Sequence, residues 1–183
     1  MEVLNNEIEL IAALKNPKVK DKAFKTLLDN YQERLYWHIR KLVLIHEDAN
    51  DVLQNTFLKI YKSIHTFHQD SSLHTWMYRI AYNESMNLLA EKNKKSFISS
   101  EEVTTKILNN LQEDVYFDGD EIKLKLHKAL LELPEKQRQV FNMKYFDELK
   151  FREISEILGT TEGALKASYH IAVKKIEEYL VGN

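Results

Sequence analysis

The stretch FREISEILGTTEGALKASYH, Phe151 to His170, decides how this chain is organised. Phe151, Ile154, Ile157 and Leu158 recur at three- and four-residue steps and predict a short helix. Gly159 ends it, because glycine adopts the left-handed conformation that closes helices at little cost. Thr160 or Thr161 then offers a side-chain oxygen to the free N–H groups of a second helix starting at Glu162. Leu165, Tyr169, Ala172, Val173 and Ile176 line the inner side of that longer helix. A short helix, a glycine-bearing turn and a longer helix make a helix-turn-helix.

At about 100° per residue, the opposite side of the longer helix carries Gly163, Ala167, His170, Ile171 and Lys174, with Lys166 on one flank. Gly163 and Ala167 are small enough to let a backbone approach base edges in a major groove. Lys166 suits a guanine or a phosphate, and Ala167 or Ile171 suits a thymine methyl. The competing reading is a helical hairpin without DNA, in which a neighbour buries Ile171. Between Gly159 and His170 there is one lysine and no arginine, so charge alone does not decide between the two.

Upstream, LELPEKQRQVFNMKY places Pro134 in the first turn of a preceding helix, where its missing N–H is not needed. Glu135 beside it favours the positive helix end, and the helix is expected to run to about Tyr145.

The whole chain has 183 residues, 44% of them hydrophobic, with four glycines and two prolines. That length and apolar content suit two small domains, and so few turn formers favour long helices over sheets. The expected class is all-α. No cysteine is present, which excludes disulfides, thiolate metal sites and cysteine nucleophiles. Neither a signal peptide nor a run of about 18 apolar residues occurs, so the chain reads as soluble and cytoplasmic, without membrane insertion.

A net charge of -2 argues against indiscriminate binding to nucleic acid, but the acid is concentrated. Residues 97–121 carry one lysine against seven acidic residues, whereas residues 122–183 carry eleven basic against nine acidic ones. Residues 96–121 also lack a sustained apolar period, which predicts an acidic linker, with one short helix around Thr104 to Leu111. It separates a domain at 6–95 from another at 122–181.

In the first domain, the run from Glu47 to Phe67 sets Ala49, Val52, Leu53, Thr56, Phe57, Ile60, Tyr61 and Ile64 on one face. The opposite face holds Asp51, Asn55, Leu58 and Lys62, flanked by Gln54 and Lys59. This is either a solvated face with one stray leucine or a protein-binding face with an apolar centre and a polar rim. A second helix begins after a Ser71 or Ser72 cap, with Leu73, Met77, Ile80, Ala81 and Leu88 inward. Trp76, Tyr78, Arg79, Tyr82, Asn83 and Met86 lie around the rest, ahead of a cluster of Lys92, Lys94 and Lys95. Core packing accounts for such aromatics, and so does single-stranded nucleic acid, whose bases stack on rings while phosphates meet lysines.

Three segments in order, DANDVLQNTFLKIYKSIHTF, SSLHTWMYRIAYN and LELPEKQRQVFNMKYFDELKFREISEILGTTEGALKASYH, resemble the sigma factor family of bacterial RNA polymerase, in its extracytoplasmic-function group. The resemblance runs from about Glu7 to Leu180, interrupted only by the linker. It implies a region 2 domain at 6–95 and a region 4 domain at 122–181. It further implies docking on the clamp helices of the polymerase's largest subunit through Asp51, Gln54, Asn55, Leu58 and Lys59, with the flap as a second polymerase contact. Asn55 stands where relatives more usually have glutamate.

By the same resemblance, Phe67, His68, Asp70, Ser71, Ser72, Arg79 and Asn83 belong to the capture of the separated strand at the -10 element. Phe67 and Asn83 match positions of the pocket that receives an extruded base, and His68 to Ser72 replace the specificity loop. Thr161, Lys166, Ala167, His170, Ile171 and Lys174 fall in the part that reads the -35 duplex. Many relatives carry arginines where this chain has Ser168, Ile171 and Val173, which shifts specificity toward fewer charged contacts and groove shape. The family also implies promoter DNA and an anti-sigma factor as partners, no cofactor, and a linker that follows the polymerase's RNA path.

Two other readings compete. An enzyme would need a motif such as His-Glu-x-x-His, a glycine-rich phosphate loop or a nucleophile with its base, and none occurs. His65 and His68 lack an evident third ligand for a metal. A dimeric helix-turn-helix regulator would bind duplex DNA without polymerase. The expected function is promoter-specific initiation as a polymerase subunit, with no catalysis of its own.

Overall fold

The computed structural model describes residues 3–95 and 121–182, which form eight helices, with no strand among the described residues. In chain order these are α1 (Val3–Lys15), α2 (Lys20–Val43), α3 (His46–Ser63), α4 (Leu73–Lys95), α5 (Glu121–Leu131), α6 (Glu135–Tyr145), α7 (Phe151–Leu158) and α8 (Glu162–Gly182). A single 3-10 turn, Ile64–Thr66, follows α3. The chain divides into two compact units, Met1–Ala90 and Glu91–Asn183. The linker expected at residues 96–121 and its short helix lie outside the described residues, apart from Glu121, which opens α5.

In the first unit, α2 and α3 form a hairpin across two residues. Leu44 closes α2 in the left-handed conformation (φ 66°), its N–H bonded to the Arg40 carbonyl at 3.0 Å. Ile45 is extended and redirects the chain into α3. Leu27, Leu35 and Ile39 of α2 are fully buried, and α1 adds Leu10, Ile11 and Leu14. Side chains such as these contribute roughly 1.5–3 kcal/mol each when withdrawn from water.

The inner face of α3 follows the sequence period: Ala49, Val52, Leu53, Thr56, Phe57 and Ile60 are buried. The helix is shorter than the expected run to Phe67, ending at Ser63. The cause is competition for the last carbonyls. The Ser63 hydroxyl donates to the Lys59 carbonyl at 2.6 Å, and Thr66 donates to that of Ser63 at 2.7 Å. The Lys20 ammonium takes the Tyr61 carbonyl at 2.7 Å, so the α-helical end is satisfied from a neighbouring helix.

Along α4, Leu73, Met77 and Ala81 are buried as expected, while Ile80 and Leu88 are half-buried. Tyr78 departs from its expected outer position: it is buried, with His38 of α2 at 4.5 Å and His74 at 4.1 Å between ring centroids. Thr75 and Ser85 are buried too, so α4 turns a wider face inward than its aliphatic stripe indicates.

The second unit gathers Ala129, Leu130, Leu133, Phe141, Ala172 and Ile176 into one core. Pro134 sits just before α6 as its N-cap (φ -51°, ψ 141°) instead of in the first turn. Its carbonyl accepts from Arg138 N–H at 3.0 Å, and an N-cap already supplies this first acceptor without needing a donor of its own. Ahead of α7, the Lys150 N–H donates to Glu153 Oε2 at 2.7 Å, holding the start of the helix-turn-helix.

Candidate nucleic-acid and protein interfaces

The turn between α7 and α8 is built as its sequence requires. Gly159 has φ 64°, and its N–H bonds the Ser155 carbonyl at 2.9 Å. The Ser155 hydroxyl donates to the Thr160 carbonyl at 2.6 Å, which fixes the chain before α8. Of the two candidate caps, Thr161 is the one used: its Oγ1 accepts from the Ala164 N–H at 3.4 Å. Thr161 therefore has a structural duty at the site assigned to it.

Gly163, Lys166, Ala167, His170, Ile171 and Lys174 all lie exposed on α8. Ile171 is 45% exposed, so its own unit does not cover it, and the hairpin reading that needed it buried loses support there. An added Cβ at Gly163 would meet no atom within 4 Å. Nothing inside the fold requires that glycine, which leaves its smallness open to a requirement from outside. The Lys166 ammonium lies 3.7 Å from Glu162 and 5.9 Å from the Phe151 ring centroid, and Lys174 lies 3.8 Å from Glu178. These exposed pairs hold the lysines loosely and can be exchanged for phosphates.

On α3, Asp51, Gln54, Asn55, Leu58 and Lys59 share an exposed face. Leu58 is 57% exposed, with the polar residues around it. Lys59 also reaches α4, where its ammonium lies 2.6 Å from Glu84. That partner had no sequence signal, because the two residues belong to different helices.

The residues expected to capture a single strand separate into two groups. His68, Asp70, Ser72 and Asn83 are exposed, and Ser71 and Arg79 are half-buried. Phe67 is 2% exposed, its ring 5.2 Å from that of half-buried Trp76. Its ring is therefore buried at the start of the loop. Ser72 is the cap chosen from the two candidates: its hydroxyl accepts from the Thr75 N–H at 3.1 Å. In the middle of the loop, Gln69 takes φ 64°, a conformation uncommon outside glycine.

Two family descriptions match the chain: sigma-70 region 2 over residues 27–95, and sigma-70 region 4 over residues 123–176. The chain is 29% identical over 157 residues to the ECF RNA polymerase sigma factor SigW of Bacillus subtilis, covering 81% of this chain and 83% of SigW. It is 31% identical over 144 residues to the RNA polymerase sigma factor YlaC of the same organism, covering 78% of this chain and 82% of YlaC. Its fold is similar to that of the sigma factor RpoE solved with the anti-sigma factor NepR from Bartonella quintana, with a TM-score of 0.69 and 19% identity over 87% of this chain and 97% of that one. Region 2 and region 4 occur in order on one helical chain, and the identity to sigma factors extends over most of its length. The chain therefore belongs to the sigma-70 family of RNA polymerase sigma factors, in the extracytoplasmic-function group.

Proposed function

We propose that the protein docks on core RNA polymerase through the exposed face of α3 and directs initiation by reading promoter DNA at two places. The observation that carries this reading is Leu58, a leucine 57% exposed at the centre of Asp51, Gln54, Asn55 and Lys59, on a helix whose other face is fully committed to the core. An apolar centre inside a polar rim has the anatomy of a protein-binding surface. The flap of the polymerase is the second contact in this reading.

Downstream of the docking helix, residues 68–72 and Asn83 receive the separated strand at the -10 element. Phe67 contributes by supporting the loop. In the other unit, Lys166, Ala167, His170, Ile171 and Lys174 meet the -35 duplex, and Thr161 orders the start of their helix. The weakly charged α8 suits a reader held in place by polymerase, because tethering raises its effective concentration at the promoter.

The family is not a class of enzymes, and this reading assigns the chain no catalytic step. Among the described residues no helix is long and apolar enough to cross a membrane. The reading places the protein in the cytoplasm with the polymerase, restrained by an anti-sigma factor, the kind of partner with which RpoE was solved. The division into region 2 at 6–95, linker at 96–121 and region 4 at 122–181 belongs to the same reading.

Adding the purified protein to core polymerase and mapping transcript starts on genomic templates tests it. Starts at a defined set of promoters are expected. Failure to start on any template, with specific duplex binding by the protein alone, would favour a polymerase-independent regulator.

A further inference from the structure

The loop His68 to Ser72 is held at both ends by one helix that belongs to neither side of it. At its start, the Phe67 carbonyl accepts from the Lys15 ammonium at 2.5 Å. At its end, the Leu73 N–H donates to Glu7 Oε1 at 3.1 Å. Glu7 and Lys15 both lie on α1, eight residues apart, which is about 12 Å along a helix axis. Between them Leu10, Ile11 and Leu14 bury α1 in the core, so the two polar arms project from an anchored strut.

Each arm has the sign its target requires. A carboxylate meets the N–H that opens α4, and an ammonium meets a carbonyl that follows the 3-10 turn. Phe67 and Leu73, the residues flanking the loop, are buried, whereas His68, Gln69, Asp70 and Ser72 are exposed. Gln69 at φ 64° is a conformation that persists only where its surroundings hold the chain.

We propose that Glu7 and Lys15 are positioning residues that fix the spacing of the loop ends, so that the -10 reading loop is already ordered when a base arrives. This rests on the reading of residues 68–72 as that loop. A loop ordered beforehand loses less freedom on capturing a base, and it offers its side chains in one arrangement, which sharpens discrimination.

The test uses the full chain bound to core polymerase, with a single-stranded oligonucleotide carrying the preferred -10 strand and its single-base variants. Glu7→Ala and Lys15→Met are each expected to weaken binding of the preferred strand by about three- to tenfold and to flatten the preference among bases, the scale of one ordinary hydrogen bond. Glu7→Gln and Lys15→Arg, which keep an acceptor and a donor, are expected to stay within about twofold. Amide exchange over residues 68–72 should quicken in the first two variants and not in α2 or α3.

Unchanged base preference and unchanged loop exchange in Glu7→Ala and Lys15→Met would overturn the proposal. So would equal losses in the conservative variants. If the unchanged complex shows no base preference at all, the reading of the loop fails, while the exchange measurement still decides whether α1 holds it. Should Glu7→Ala fail to fold, Lys15→Met decides alone, because Lys15 lies on the surface.

Discussion

The Lys59 ammonium of α3 lies 2.6 Å from Glu84 Oε1 of α4, joining the helix that exposes Leu58 to the one that carries Asn83. The two side chains are 54% and 19% exposed, and pairs of this kind contribute about 0.2–1 kcal/mol. In a double-mutant cycle followed by urea unfolding, Lys59→Ala and Glu84→Ala should show a coupling within that range. A coupling of zero would show that the pair contributes nothing to stability. Because Lys59 is partly engaged with Glu84, Lys59→Ala should also weaken polymerase docking less than loss of Leu58 does.

Leu58 is expected to have the opposite profile, contributing little to the fold and much to docking. Leu58→Asp should change folding stability by no more than about 0.5 kcal/mol, as exposed substitutions usually do. The same change should weaken polymerase binding at least tenfold, about 1.4 kcal/mol, as expected of a central interface residue. Equilibrium titration of labelled protein with core polymerase measures it. Undiminished binding would remove α3 from the interface.

Gly163 gives a stability and a function readout of opposite sign. Nothing lies within 4 Å of the position its Cβ would take, so Gly163→Ala should stabilise the second unit by up to about 0.5–1 kcal/mol. If the bare backbone is there to approach DNA, the same variant should use promoters that depend on the -35 element less well. Higher thermal stability with unchanged promoter use would leave the glycine without a role in reading.

Lys166→Ala removes only an exposed pair with Glu162 and a distant ring contact with Phe151, so the loss of stability should stay below about 0.5 kcal/mol. Promoter choice should suffer more: a lost contact to a base edge typically costs about 1–3 kcal/mol of discrimination. Competition between promoters differing in the -35 element, with docking measured in parallel, separates the two. Equal use of the same promoters would show that Lys166 is not a reader.

Two tyrosines in the first unit predict an alkaline limit. The Tyr61 phenol, which donates to Asp21 at 2.7 Å, is pushed above its ordinary value by that hydrogen bond, with further upward effects of desolvation and the Asp21 charge. Tyr31 is raised by burial first and by the Glu7 charge second, against a lowering by Arg34. A phenol whose folded value is raised stabilises the fold fully below its unfolded value of about 10, and that contribution is lost as pH rises through the folded value. Unfolding free energy should therefore fall above about pH 10, and less steeply in Tyr31→Phe. An identical slope in that variant would show that Tyr31 does not contribute.

Much of the architecture is local and could be read residue by residue. The three-to-four spacing in α3 named its buried face, Gly159 marked the end of α7, and Glu162 marked the start of α8. The exposed faces of α3 and α8 were legible for the same reason: a helix's period fixes which side chains share a face. Small residues and one leucine on those faces stood out against that regularity.

The widths of the faces and the contacts between helices were decided elsewhere. Tyr78 had a position on α4 outside the aliphatic stripe, yet it is buried, with His38 of α2 against its ring. Phe67 is buried against Trp76, and α3 stopped at Ser63 where hydroxyls and the Lys20 ammonium took its last carbonyls. Glu84 meets Lys59 across 25 residues and Glu7 meets Leu73 across 66. Periodicity along one helix fixes how its side chains are arranged around its own axis. Which of them meet a partner depends on how neighbouring helices are rotated and spaced, and that is set by packing the whole core at once.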